Sequence, residues 1–248
     1  MTARAPLSSD RPGSGHVSRS RALPGRQVLT ESVYEAIREQ IMNLELAPGT
    51  RVNMDQLARE LEVSTTPVRE ALTRLESEGL VTRRSLQGYS VTAQPGRIDL
   101  HELFTMRMLI EPEAASQAAG APDAELLNSL HVTLAGMAEQ VSSGPQEQYR
   151  RYRTLVDSDA RFHDAIAAAS GNRLLRRTFA GMHCHVLLYR LYFEAGVAPE
   201  REQTAEEHRV IIGAIAAQQP ERAATAMRVH IEHSHERVLG RTSAIRPS

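Results

Sequence analysis

The chain contains no lysine at all: its 29 basic residues are arginines, set against 30 acidic ones. It has a single cysteine, Cys184, which excludes an internal disulfide framework and suits a reducing compartment. No apolar run approaches the roughly 18 residues of a membrane span. The longest clear one is Val210 to Ala217. The N-terminus carries no apolar signal-peptide core, and no segment repeats. These absences lead to the expectation of a soluble, cytoplasmic protein without a membrane partner.

What is present fits a globular chain. Hydrophobic residues make up 41% and charged residues 24% of 248 residues, enough for one large or two ordinary domains. The formal net charge of -1 hides an asymmetry. Residues 1–97 carry 13 arginines against 11 acidic residues, whereas residues 98–248 carry 16 against 19. The N-terminal part is therefore the better candidate for an anionic partner, although so small a difference decides nothing alone.

Residues 1–27 are rich in Ser, Pro, Gly and Arg and read as a disordered arm. Its arginines (Arg4, Arg11, Arg19, Arg21, Arg26) either touch DNA phosphates or simply keep a tail solvated. From Thr30 the texture changes. Val33, Ile37, Ile41 and Leu44 predict a helix ending before Pro48-Gly49. Asn53, with Gln56 three residues on, predicts a capping box opening a second helix with a stripe of Leu57 and Leu61. After a tight turn at Glu62-Val63, Ser64 caps a third helix that buries Val68, Ala71, Leu72 and Leu75 and stops at Gly79. Leu80 to Arg84, a turn at Gln87-Gly88, and Tyr89 to Val91 read as a small β-hairpin.

Pro95-Gly96 marks a boundary, so a first domain spans 28–95. Beyond it lies only helical texture, over about 98–119, 123–142, 147–169, 171–194, 202–217 and 220–240, punctuated by Gly, Pro and Asn. The fold class is thus mainly α: an N-terminal winged helix-turn-helix and a C-terminal all-α bundle over 96–242, with a tail over 243–248. In such a head the third helix buries one face and offers short polar and basic side chains to a DNA groove. Ser64, Thr65, Thr66 and Arg69 fill that role here, and the wing tip at Gln87 and Gly88 permits close backbone approach. Taken singly, Arg69 would do no more than pair with Glu70 or Glu76.

The run from Val63 to Leu72, followed by Arg74-Leu75 and Glu78 to Val81, resembles the recognition-helix signature of the GntR family of bacterial regulators. Ala47 to Thr50 and Leu57-Ala58 fit the same pattern. The resemblance covers about 30–94 and implies a homodimer on a palindromic operator of double-stranded DNA. Thr65 stands where the family usually has an arginine reaching the bases, and Gln87 replaces a frequent wing residue, so the operator sequence is left open.

In the bundle, Asp159 and His163 lie four apart and share a helical face with Leu155, Phe162 and Ile166. His208 shares a face with Ile211, Ile212 and Ile215; His230 shares one with Ala223, Ala226 and Met227. A lone core histidine is usually only hydrogen-bonded. Three inward histidines and one carboxylate can instead supply a divalent site with positions left open. Asp159 to His163, Ser170 to Asn172, Glu207 to Arg209 and His230-Ile231 resemble the helical effector domain of the FadR subfamily, the FCD domain. By that resemblance Asp159, His163, His208 and His230 are metal ligands, for zinc first and for nickel or manganese equally in kind. His233 is a possible ligand swap, and His183-Cys184-His185 diverge too widely on a helix to share an ion, leaving them as pocket wall or surface. Arg107 either clamps the carboxylate of a small effector or pairs with Glu111 one turn on. The reading is a non-enzymatic transcription regulator, a repressor in the family's commonest mode, controlled by a carboxylate metabolite at the metal. The rivals are a metal-dependent enzyme and a bundle whose metal is purely structural.

Overall fold

A computed structural model describes residues 24–138, 145–184 and 201–245. The elements in chain order are α1 (Pro24–Met42), α2 (Met54–Glu60), α3 (Thr65–Ser77), β1 (Val81–Arg84), β2 (Gly88–Val91), α4 (Arg97–Gly120), α5 (Ala124–Ala138), α6 (Pro145–Ala169) and α7 (Arg173–Gly181). They are followed by α8 (Arg201–Ala216) and α9 (Pro220–Ile245). The fold is mainly helical, with a small winged head and a helical bundle.

In the head, α1 lies along α3, and the two contribute Val33, Tyr34, Ile37, Ile41, Val68, Ala71, Leu72 and Leu75 to one core. Each fully buried aliphatic side chain of this kind is worth about 1.5–3 kcal/mol. β1 and β2 pair antiparallel, Val81 opposite Val91 and Arg84 opposite Gly88. Residues 49–52 add a further edge, with Val52 N–H donating to Tyr89 O and Val91 N–H to Thr50 O. Val81, Tyr89 and Val91 seal the core beneath this wing.

Several element ends depart from the sequence expectation. α1 starts at Pro24, within the stretch expected to be an unstructured arm, because proline fits a first turn whose amides lack partners. Residues 1–23, with Arg4, Arg11, Arg19 and Arg21, lie outside the described residues. The same helix stops at Met42, and Leu44 adopts a positive φ of 61° in the turn that follows instead of extending the stripe. Asn53 caps α2 through the amides of Asp55 and Gln56, but the Gln56 side chain turns to Glu60, so only half of a capping box forms. Ser64 occupies the N-cap of α3 without a side-chain cap bond. The helix expected over 171–194 is cut at Gly181: His183 takes φ 47°, and 185–200 lie outside the described residues. The last helix runs past 240 and into the expected tail, as far as Ile245.

The bundle packs α4 along α9, α5 against α6, and α8 across α4, α5 and α9. Its core holds Leu100, Phe104, Leu130, Phe162, Ile166, Ile211, Ile215, Met227 and Ile231. At one point α5 and α6 approach so closely that a Cβ on Gly136 would fall 2.5 Å from Ser158 Oγ. Contacts among the described residues join head to bundle. Arg38 of α1 donates from Nη2 to Asp157 Oδ1 of α6 at 3.2 Å, beside Val156, which packs on the head core. Gly79, at φ 77°, lies beneath His183, whose Cγ would be 2.5 Å from any Cβ placed there. No helix among the described residues is long and apolar enough to cross a membrane.

Candidate metal centre and nucleic-acid interface

The outward face of α3 is built as its inward stripe demands. Ser64, Thr66 and Arg69 are exposed and Thr65 is half-buried, all in the first turns of the helix. Among the described residues Arg69 makes no ion pair with Glu70 or Glu76, so its guanidinium projects free. Arg74, one turn further, is committed elsewhere: it lies 2.7 Å from Glu31 and stacks over the Tyr34 ring. Gln87 is exposed at the wing tip, and Gly88 takes φ 79°, a conformation that favours glycine. Leu86 was not anticipated. It projects completely from the same tip at φ 64°, a large apolar side chain with nothing to bury it.

In the bundle, α6 brings Asp159 and His163 to one face, α8 supplies His208 and α9 supplies His230. Candidate ligand atoms of these four residues all lie within 4.8 Å of one another. Asp159 Oδ1 is 3.8 Å from His163 Nε2 and 3.6 Å from His208 Nε2. Metal bonds of about 2.1 Å place donors of one ion up to roughly 4.2 Å apart, so the cluster is near ligation size. The decisive test of fit is satisfaction. Nε2 of His163 and both ring nitrogens of His208 are buried without a hydrogen-bond partner among the described residues, an arrangement costly in an apolar bundle unless something else meets them. Three imidazoles and a carboxylate are a donor set suited to borderline divalent ions. The residues present fit a metal.

The electrostatics favour the ligating form. Burial, reinforced by the neighbouring His230, His163 and Arg107, pushes His208 well below its usual range and keeps it neutral. Burial likewise lowers His230, with Glu207 opposing. Neutral imidazole is what a metal requires. His208 also stacks flat on Phe162, ring centroids 3.8 Å apart, which fixes its plane.

Arg107 is buried and pairs side-on with Glu111, from Nε to Oε1 at 2.5 Å. The pair with Glu111 forms, and it is buried rather than on the surface. Glu111 Oε2 in turn lies 2.5 Å from His163 Nδ1. Burial opposes ionisation of Glu111, yet the Arg107 guanidinium, with His163 beside it, holds its carboxyl well below the usual carboxylate range. On the other side of the cluster, Glu207 receives His230 Nδ1, His233 Nδ1 and both terminal nitrogens of Arg237, at 2.8 to 3.0 Å. Sequence reasoning missed both carboxylates as parts of the site. His233 is engaged by Glu207 and stands apart from the four-residue cluster. Cys184 is buried, His183 packs on Gly79, and His185 lies outside the described residues.

Comparison with known proteins joins these two halves. The model of bacterial regulatory proteins of the gntR family matches residues 29–91, and that of the FCD domain matches residues 102–233. This chain belongs to the GntR family of DNA-binding transcription regulators, in its FadR-type branch with a C-terminal FCD domain. The HTH-type transcriptional regulator BphR of Paraburkholderia xenovorans is 28% identical over 240 residues, covering 94% of this chain and 96% of its own. A protein of Escherichia coli (strain K12) named for the regulation of an L-lactate dehydrogenase operon is 29% identical over 236 residues, 86% of each chain. Among solved structures, E. coli McbR/YncC shares the fold, with a TM-score of 0.64 at 22% identity over 86% of this chain and 98% of the other. The relatives are transcription regulators, not enzymes.

Proposed function

We propose that this chain is a cytoplasmic, homodimeric repressor whose bundle holds one divalent ion on Asp159, His163, His208 and His230 and reads a small carboxylate metabolite there. The observation that carries the reading is the set of buried, unpartnered imidazole nitrogens beside Asp159. The bound ion supplies Lewis-acid attraction for an anionic effector. Zinc heads the compatible ions, with nickel and manganese also suited to the donors. Arg107, whose guanidinium has five N–H donors and offers Nε to Glu111, has others left for an effector carboxylate. The relative named for an L-lactate dehydrogenase operon makes a 2-hydroxy acid a first effector to try.

In the head, assigned to 28–95, Ser64, Thr65, Thr66 and Arg69 contact the major groove of a palindromic operator, and Gln87 and Gly88 approach the backbone at the wing. Two heads of a dimer must sit about 34 Å apart to meet successive grooves. The bundle, assigned to 96–242, sets that distance. An effector favouring one bundle state lowers or raises operator affinity, and DNA reciprocally changes effector affinity. Elemental analysis of purified protein is the test. About one divalent ion per chain, absent from His208→Ala, is the expected result, since four donors converge on one point. A wild-type protein that takes up no zinc, nickel or manganese would sink the metal reading.

A further inference from the structure

Building on that metal reading, we propose that Glu207, seconded by Glu111, is a positioning residue of the metal centre. Each holds the proton of a ligand histidine on Nδ1 and leaves Nε2 as the bare donor turned to the ion.

The argument starts from what a carboxylate can do. An ionised carboxylate only accepts hydrogen bonds, so the ring nitrogen facing it must be the one that bears hydrogen. A neutral imidazole has a single N–H, and its other nitrogen is then a lone pair free for a metal. Glu207 Oε2 stands 2.8 Å from His230 Nδ1, which fixes the N–H there and assigns Nε2 to the cluster. Glu207 cannot easily swing away. Its two oxygens are held by Arg237 Nη1 and Nη2 at 2.9 and 3.0 Å, a two-pronged clamp of high directionality. Its side chain is 11% exposed and that of Arg237 9%, so water competes little for either.

The same carboxylate accounts for the exclusion of His233. That ring, one turn from His230 on α9, spends Nδ1 on Glu207 Oε1 at 2.8 Å and remains on the outer side. One side chain thus selects which of two neighbouring histidines serves the centre. Across the cluster a parallel line runs from Arg107 through Glu111 to His163 Nδ1. This second line is a close ion-pair contact without full hydrogen-bond directionality, so Glu207 is the stronger case. Among the described residues no carboxylate hydrogen-bonds to His208; its plane is set by stacking on Phe162 and edge contacts with His163 and His230. Among the three histidines, His230 has its tautomer fixed by a hydrogen bond, His163 has a close carboxylate at Nδ1, and His208 is held by ring packing.

The test has two arms. In the first, metal-free protein labelled with 15N-histidine is examined by long-range 1H–15N correlation at neutral pH. His230 is expected as the Nδ1–H tautomer, and Glu207→Gln is expected to mix or invert it, because an amide can donate as well as accept. In the second, Zn2+ affinity is measured by chelator competition. Glu207→Gln is expected to bind Zn2+ about 10–100-fold more weakly, as for other outer-shell partners of metal-bound histidines. Glu221→Gln, on the exposed first turn of α9, is the control expected to match wild type. An Nε2–H tautomer at His230 in wild type, or full Zn2+ affinity in Glu207→Gln, would overturn the proposal. The tautomer reading needs no variant, so a poorly folded Glu207→Gln does not protect it. A wild type that takes up no Zn2+ brings down the metal reading and this one together. Wild-type uptake with an unaltered variant brings down this one alone.

Discussion

Arg69 projects from α3 with no acidic partner among the described residues, while Arg74 on the same helix is tied to Glu31 and Tyr34. The two arginines should therefore behave differently when removed. Arg69→Ala is expected to weaken binding to a selected operator about 5–150-fold, the equivalent of 1–3 kcal/mol, with little change in thermal stability. Arg74→Ala should do the reverse in kind, lowering the melting temperature through loss of the Tyr34 and Glu31 contacts. Equal losses of affinity in the two variants, measured by fluorescence anisotropy, would refute the assignment of Arg69 to DNA. Legibility at this scale divided along the same line. The residues of the metal cluster could be read because Asp159 and His163 lie four apart on an apolar face, and His208 and His230 lie on apolar faces of their own. Glu111 and Glu207 could not, since a carboxylate near an arginine or a histidine reads equally well as a solvated pair. Only the meeting of α4 with α6, and of α8 with α9, reveals what each one touches.

At the scale of elements, the stripe of α3 and the caps of α2 and α7 follow from local chemistry. Asn53 and Asn172 each accept two amide hydrogens of the turn they open. Asn53→Ala is accordingly expected to cost about 1 kcal/mol in chemical denaturation. The break after α7 was not legible, although Gly181 stands at the helix end, because the apolar residues beyond it continue the helical texture. His183 adopts its positive φ where it covers Gly79, a contact more than a hundred residues away in sequence. Burial lowers the pKa of this ring, with Glu78 opposing. The unfolded ring, with its ordinary value near 6.5, therefore binds more protons than the folded one just below that pH. Its contribution to stability is thus present above 6.5 and is lost as pH falls from there toward the lowered folded value. His183→Asn, which tolerates positive φ, should flatten the dependence of the melting temperature between pH 7 and 5. An unchanged slope in that variant would remove His183 from the account.

For the whole molecule, the question is how a bundle informs a head. Arg38 to Asp157, with Val156 against the head core, is one route among the described residues, and His183 on Gly79 is another. Asp157→Asn leaves the metal ligands and the recognition face untouched. It is expected to keep Zn2+ affinity and metal-free operator affinity within about twofold, because Asp157 neither ligates nor lies on the recognition face. The ratio of operator affinities with and without Zn2+ should nevertheless move toward one. An unaltered ratio would place the coupling elsewhere.

Asp157 and Asp159 stand two positions apart on α6, about 200° around the helix, so one faces the head and the other the ligand cluster. That spacing has a hereditary consequence. Point substitutions can retune either surface independently, and a lineage can trade effectors or operators by such steps. A one-residue insertion between the two would turn one face by about 100° relative to the other and disable both at once. Over evolutionary time α6 should therefore vary freely in composition while its length between these two aspartates is held fixed, even in descendants that answer to a different metabolite.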